Sequence, residues 1–238
     1  MPLEQPDLSA IRSQLNPEER ALFDGWVAIG VGGLPHTLEG FRTLQILNKK
    51  LRDSFDLSRI VPRIGTASDS QGLNAMPPRP GARPTIAPFA IPHRQTDQLN
   101  SEAQRERQKS VFKAIVDENQ RLVHYRKSYF EAHNDAVFLK NPETGNQAIV
   151  PTSHGEIGHV HPSDGSMHFS LSPSDTKEVL EKGWGELHGL AGQSYEKGRS
   201  LPATYVLVYA PRTEDELALI RQILQAAIQY SALGAASL

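Results

Sequence analysis

The sequence predicts an α+β protein, with N-terminal helices followed by a mostly antiparallel sheet and flanking helices. Three observations carry this expectation. Apolar residues recur at helical spacing over the first half of the chain. After Tyr125 the pattern changes to an alternation of period two. Capped helical segments then return on either side of the last strand-like run. Helices and strands are segregated rather than alternating as βαβ units.

The first clear element covers Pro17–Ile29, where Asn16 can cap a helix with Pro17 in its first turn. Glu18 and Glu19 sit at its positive end. Gly30, Gly32, Gly33 and Pro35 break the chain, and they lack the spacing of a dinucleotide or phosphate loop. Leu38, Phe41, Leu44, Ile46, Leu47 and Leu51 mark a second amphipathic helix over residues 37–52. Residues 1–32 are set apart as a helical extension, and 33–238 as the α+β domain. Inside it, residues 65–82 hold Pro77, Pro78 and Pro80 without periodicity and read as a flexible, exposed loop. Residues 83–91 read as a short strand, held to an edge by Pro88 and Pro92.

Residues 101–123 form a charged helix with Val111, Phe112, Ile115, Val116 and Leu122 as its buried stripe. Its run of Arg105, Arg107 and Lys109 is a solvated face. Strand-like runs follow at 125–130, 136–139, 148–150, 156–161 and 167–171. Ser172 caps the next helix, with Pro173 at its first position and Asp175 three residues after the cap. That helix ends near Lys182 and Gly183. Residues 205–209 form a strand, and Thr213 with Glu216 opens a last helix that packs Leu217, Ile220, Leu224 and Ile228 on one side.

Composition narrows the function classes. The chain has 238 residues, 25 Lys plus Arg against 27 Asp plus Glu, and a net charge of −2, which supplies no general field for nucleic acid. Cysteine is absent, so disulfides, thiolate ligands and a cysteine nucleophile are excluded. The most apolar early stretch, residues 26–31, is far short of the roughly 20 residues of a membrane span. A soluble, cytoplasmic protein is expected, with neither a membrane span nor a nucleic-acid partner.

The chemistry is expected in the stretch from His154 to His188, which holds five of the nine histidines. Residues two apart on a strand share a face, so His159 and His161 stand side by side. His168 joins them if it lies opposite His161, and faces away if it lies opposite Val160. The sequence leaves that parity open. Three readings compete: a zinc, iron or copper site built from His159, His161 and His168 with Glu156 as ligand or base, acid–base work in a dry pocket, or histidines hydrogen-bonded within a sheet. Glu131 and His133 either face the cluster or face solvent. Ser153 and Ser166 lack the context of a nucleophile elbow. Tyr205 and Tyr209 read as core or pocket lining.

The runs EIGHVH, MHFSLS, DTKEVLEKGWGELHGLAG and YVLVYAPRTEDE resemble the luciferase domain of luminous fungi. FEAH at Phe130 to His133, RPTI from Arg83, RQ at Arg94 and Gln95, and FR at Phe41 and Arg42 extend the resemblance upstream, roughly from Gly33 to the C-terminus. The resemblance implies oxidation of an enolic pyrone such as 3-hydroxyhispidin by O2, without an organic cofactor. The path it implies runs through a peroxide intermediate and loss of CO2. It implies catalytic roles for Glu156, His159, His161, His168 and His188, with His159 or His161 as base. It also implies a pocket that includes Trp184, Glu131, His133 and Arg94. Its partners would be a polyketide-type pyrone and O2. Alternatives are a metal-dependent oxygenase or hydrolase and a non-catalytic small-molecule-binding homologue. Two departures from the family pattern stand out. This sequence shows no N-terminal hydrophobic segment, and its turn between His161 and His168 is about one residue shorter.

Overall fold

The computed structural model describes residues 6–64, 69–196 and 198–233. Helices come first: α1 (Leu8–Ser13), α2 (Pro17–Ile29), α3 (Leu38–Asn48) and α4 (Glu102–Glu118). Then follow β1 (Val123–Lys127), β2 (Asp135–Leu139), α5 (Val150–Ser153), β3 (Glu156–Val160), β4 (Met167–Ser170) and α6 (Pro173–Glu181). The chain ends with β5 (Gly185–Leu187), β6 (Ser194–Glu196), β7 (Arg199–Ser200), β8 (Tyr205–Val208) and α7 (Glu214–Ala232). The expected α+β class is what folds. The main sheet is antiparallel with strand order β1-β2-β3-β4-β8-β5, and β6 and β7 form a separate hairpin.

The expected caps form. Asn16 and Glu19 make a reciprocal capping box on α2, Ser101 and Gln104 make one on α4, and Ser172 accepts from the Asp175 N–H at the start of α6. Each satisfies backbone donors that a helix start leaves bare. α1, capped by Asp7, is too short to show a period and is absent from the sequence reading.

Two expectations need correction. Residues 83–91 make only an isolated bridge, Ile86 to Gln95, because Pro88 and Pro92 have no N–H to donate. Residues 148–150 lead into α5 rather than a strand, with Pro151 seated in its first turn. The loop expected at 65–82 lies outside the described residues from 65 to 68. Beyond that gap Gly72, Asn74, Ala75 and most of residues 77–82 are exposed, while a few side chains pack inward. Leu73 and Met76 are buried, and the Asp175 carboxylate accepts from the Gln71 N–H at 2.8 Å and the Ser70 hydroxyl at 2.6 Å.

The register gives the sheet two different faces. Gly158 lies opposite Phe169, which lies opposite Val206, so these residues share one face with Val137, Met167 and Val208. α4 and α7 cover this apolar face; Phe112 of α4 stacks on Phe169 at 6.0 Å between ring centroids, and α7 buries Ile220, Ile223 and Leu224. The other face carries His159 opposite His168, and His168 opposite Leu207. Over it lie the α2–α3 corner and the segment from Ile86 to Gln95. Trp26 of α2 is fully buried beside Phe23 and Phe41, and its indole N–H donates to the Ile91 carbonyl at 2.8 Å. Among the described residues no helix is long and apolar enough to cross a membrane.

Gly158 is the tightest point of the sheet. A Cβ there would meet the His168 carbonyl at 2.3 Å and the Phe169 ring at 2.4 Å. Gly158→Ala should therefore destabilise the fold by about 2–3 kcal/mol, as overpacking of a close-packed site does. Urea unfolding measures this, and a loss below about 0.5 kcal/mol, the range of neutral surface changes, would contradict the packing described.

Candidate active site

The site depends on a bulge in β3. Phe138 pairs with Glu156, and Val137 with Gly158, so one extra residue on β3 is absorbed between them. Without it, residues three apart would point to opposite faces. With it, Glu156 and His159 share a face, and His159 Nδ1 lies 2.6 Å from Glu156 Oε1. Glu156 also accepts from the Ser128 hydroxyl at 3.1 Å and from the Tyr129 N–H at 2.6 Å. The four-residue turn after His161 resolves the parity. His161 N–H donates to the Ser166 carbonyl at 2.8 Å, which sets His159, rather than His161, opposite His168. All three rings consequently lie on one face. His159 and His161 are 5.1 Å apart by centroid, and His168 is 5.4 Å and 5.0 Å from them.

His188 completes the expected group at 5.7 Å from His168, and a further histidine joins it. His93, from the covering segment, stacks on His168 at 5.5 Å and meets His188 edge-on at 4.7 Å. Sequence reasoning missed His93 because it stands alone in a proline-rich loop without period. The only signal was its position next to the Arg94–Gln95 pair. Tyr205 stacks on His168 at 4.7 Å and 10°, in the pocket-lining place expected of it. His93, His159, His168, His188 and Tyr205 line a small pocket of about 40 Å³ together with Ile91, Pro92, Phe130, Tyr195 and Leu201. A larger open groove of about 520 Å³ lies beside α4 on the sheet's other face, lined by Phe112, Tyr125, Val137, Gly158 and Val160. Of the clustered histidines only His159 borders it, whereas His93, His159, His168 and His188 meet in the smaller space.

Burial sorts the histidines. Burial alone depresses His159, but hydrogen bonding and attraction from Glu156 outweigh it, and the ring is held above its ordinary value. Burial pushes His161 well below, reinforced by His159 and Arg94. His168 and His188 are likewise pushed well below by burial and by neighbouring histidines. Burial raises the Tyr205 phenol well above its usual value, so it remains a neutral hydroxyl. His159 is thus equipped to hold a proton, while His161, His168 and His188 stay neutral. The Nε2 atoms of His159 and His161 are buried with no hydrogen-bond partner among the described residues.

The remaining expected residues divide. Glu131 lines the cavity, with Oε1 3.9 Å from His161 Nε2. Arg94 turns its guanidinium to Glu131 at 2.7 Å and to the Val31 carbonyl at 2.7 Å. His133 is partly exposed, 3.5 Å from Glu131 and outside the cavity lining. Trp184 is not brought to the cavity; its indole donates to the Pro77 carbonyl at 2.7 Å, and it lines a separate groove with Pro78, Arg212 and Glu216. Behind His161, Ser166 accepts at 2.8 Å from or donates to Nδ1 and hydrogen-bonds Asp164, a relay without a sequence signal. The ligand atoms of Glu131, His159 and His161 lie within 4.8 Å of one another, the one grouping of metal-ligand type found among the described residues. Glu131 takes the place that the sequence reading assigned to His168.

The sequence comparisons address this same stretch. The family described as Luciferase domain matches residues 154–227, which include β3, β4 and His188. The luciferase of Armillaria gallica is 34% identical over 168 residues, 66% of this chain and 62% of that protein. The luciferase of Neonothopanus nambi is 29% identical over 223 residues, 90% of this chain and 81% of that protein. The chain is similar to the luciferases of luminous fungi over this stretch. It spans about 62% of the length of the Armillaria proteins, and no solved structure matches it.

The Arg94–Glu131 pair is nearly inaccessible, at 5% and 8% side-chain exposure. Removing one buried partner strands the other, so Arg94→Met should cost about 3–5 kcal/mol. The double variant Arg94→Met/Glu131→Leu should recover more than half of that loss. Denaturant unfolding of the cycle reads both numbers, and a single variant as stable as the parent would refute the buried pair.

Proposed function

We propose that the chain is a luciferase-like oxygenase that oxidises an enolic pyrone, such as 3-hydroxyhispidin, with O2 and without an organic cofactor. The observation that carries this reading is the Glu156–His159 pair. Glu156 holds Nδ1 at 2.6 Å, so a neutral ring carries its hydrogen there and presents a bare Nε2 toward the cavity. That is the arrangement of a general base held in one tautomer by a carboxylate. Relationship to proteins named luciferase supports the reaction class.

On this reading His159 Nε2 takes the enol proton, and the resulting carbanion-like enolate is the electron donor. O2 accepts the electron pair as a C–O bond forms and is reduced to a peroxide bound to the substrate. The peroxide closes onto the lactone carbonyl; the O–O and C–C bonds of the cyclic peroxide break, and the ring oxygen leaves as an enolate as CO2 is released. His161, His168 and His188, kept neutral, do not compete for the proton and remain available as donors to developing oxyanions. The histidine rings and the Tyr205 ring of the lining are almost wholly buried, which limits water around the anion and the peroxide. A space of about 40 Å³ is comparable to one water, which takes about 30 Å³. It suits O2, whereas the pyrone needs a wider space than this.

A second reading has its own observation. Glu131, His159 and His161 make a two-histidine, one-carboxylate set, the donor type of non-haem iron(II) sites. Glu156 behind His159 would be the carboxylate that orients such a ligand. Against it, the Arg94 guanidinium already occupies one Glu131 oxygen at 2.7 Å.

The test is to mix purified protein with 3-hydroxyhispidin in air and follow photons, O2 and product, with and without chelator. Activity that survives chelation is expected. His159→Ala should lower turnover by about 10²–10⁴-fold, as loss of a general base does, with the fold retained. Full activity of His159→Ala/His161→Ala would sink the base assignment. Activity lost to chelator and restored by iron(II) would replace the first reading by the second.

A further inference from the structure

The cavity has a second carboxylate–histidine pair on the wall across from Glu156 and His159. His93 Nε2 lies 3.2 Å from Glu186 Oε1, and Glu186 Oε2 accepts from the Tyr209 hydroxyl at 2.9 Å. The pair is buried, with side-chain exposures of 8% and 9%. His93 Nδ1, the other ring nitrogen, is buried without a hydrogen-bond partner among the described residues. The ring lines the same cavity as His159, His168 and His188. The two pairs come from unrelated parts of the chain. One is built within β3, while the other joins the covering segment to the edge strand β5, two residues before His188.

We propose that His93 is a second catalytic histidine, an acid that donates from Nδ1 to the substrate oxyanion, and that Glu186 is its positioning residue. This rests on the oxygenase reading above and adds the step that reading leaves without a donor. When the peroxide closes onto the lactone carbonyl, the C=O π pair moves onto oxygen and an oxyanion forms. The proton on His93 Nδ1 moves to that oxygen, and the imidazolium becomes a neutral ring whose Nε2–H still faces Glu186. His159 has by then gained the enol proton, so one turnover exchanges the protonation states of the two pairs, and solvent resets them when the cavity opens.

Several features support the donor role. Burial works to raise Glu186, but hydrogen bonds and attraction from His93, with the Tyr209 hydroxyl, outweigh it and keep the carboxylate ionised. With Glu186 engaging Nε2, Nδ1 is the ring nitrogen left to exchange a proton with a bound substrate. The nearest rings, His168 and His188, are pushed well below their ordinary values by burial. Arg59, which donates to the His188 carbonyl at 3.1 Å, lies behind that ring. Arg83 lies beyond Glu186 at the Tyr209 hydroxyl, 3.5 Å away.

The test compares the full-length protein with His93→Gln, Glu186→Gln and Glu186→Asp, reading O2 uptake and CO2 release together with 3-hydroxyhispidin in air. Thermal unfolding confirms that each variant is folded. In His93→Gln, CO2 release should fall about 100-fold, the usual loss for a missing acid, while initial O2 uptake changes less than about threefold. Peroxide that cannot close should then leave as hydrogen peroxide, with the substrate oxidised by two electrons and its carboxyl carbon retained. Glu186→Gln should uncouple in the same direction but less, and Glu186→Asp should restore part of the coupling. Variants that keep the parent's ratio of CO2 to O2 would overturn the acid role and leave the oxygenase reading intact. A parent protein that consumes no O2 with the pyrone would overturn both.

Discussion

The residue that β3 inserts beyond its pairing with β2 is the constraint on which the rest of the site depends. Strand geometry sends residues three apart to opposite faces, so an unbulged strand would bury Glu156 among the apolar side chains beneath α7 and leave His159 without its carboxylate. The bulge turns Glu156 back to the histidine side, and Gly158 absorbs the crowding by presenting no Cβ to the Phe169 ring. From His159 onward normal alternation resumes. His161 and, across the four-residue turn, His168 then follow on the same side. A single local irregularity thereby positions the base, its orienting carboxylate and two neutral neighbours.

Closure of the site is a separate matter of tertiary packing. The covering segment contributes no regular ladder, since its prolines remove donors. Side chains hold it in place instead. Arg94 bridges it to Glu131 and to Val31, Asp164 accepts from the Gln95 N–H at 3.1 Å, and Gln95 accepts from the Ala210 N–H at 2.9 Å. Trp26 ties the same segment to α2 through the Ile91 carbonyl. These polar contacts are buried, and each strand of the network is specified by a partner distant in sequence. Gly33 allows the α2–α3 corner to approach the Phe130 carbonyl, which a Cβ would meet at 2.5 Å.

What could be read from the sequence follows from the range of the signal. Helix caps and the main strands were legible because Asn16, Ser172 and Thr213 act on residues within three positions, and alternation is local too. The histidine group in β3 and β4 was visible by density, and only its parity was open, because a turn of unknown length decides it. His93 and Glu186 were not visible, since nothing local marks a pairing 93 residues apart. Trp184 shows the converse. It stands four residues before His188, on the other side of β5, and its indole turns to the Pro77 carbonyl. The prolines at 88 and 151 were present in the sequence, but their weight against strand formation was underestimated there.

The two faces of the sheet also separate two kinds of selection. Val137, Gly158, Phe169 and Val206 meet the helices, whereas Ala136, His159, His168 and Leu207 meet the covering segment, in alternation along the same strands. Replacing a side chain on the covered polar side leaves the interdigitation beneath α4 and α7 untouched, so the scaffold tolerates drift in its reaction without drift in its architecture. A lineage built on such a sheet can diversify its substrates by rewriting every second residue.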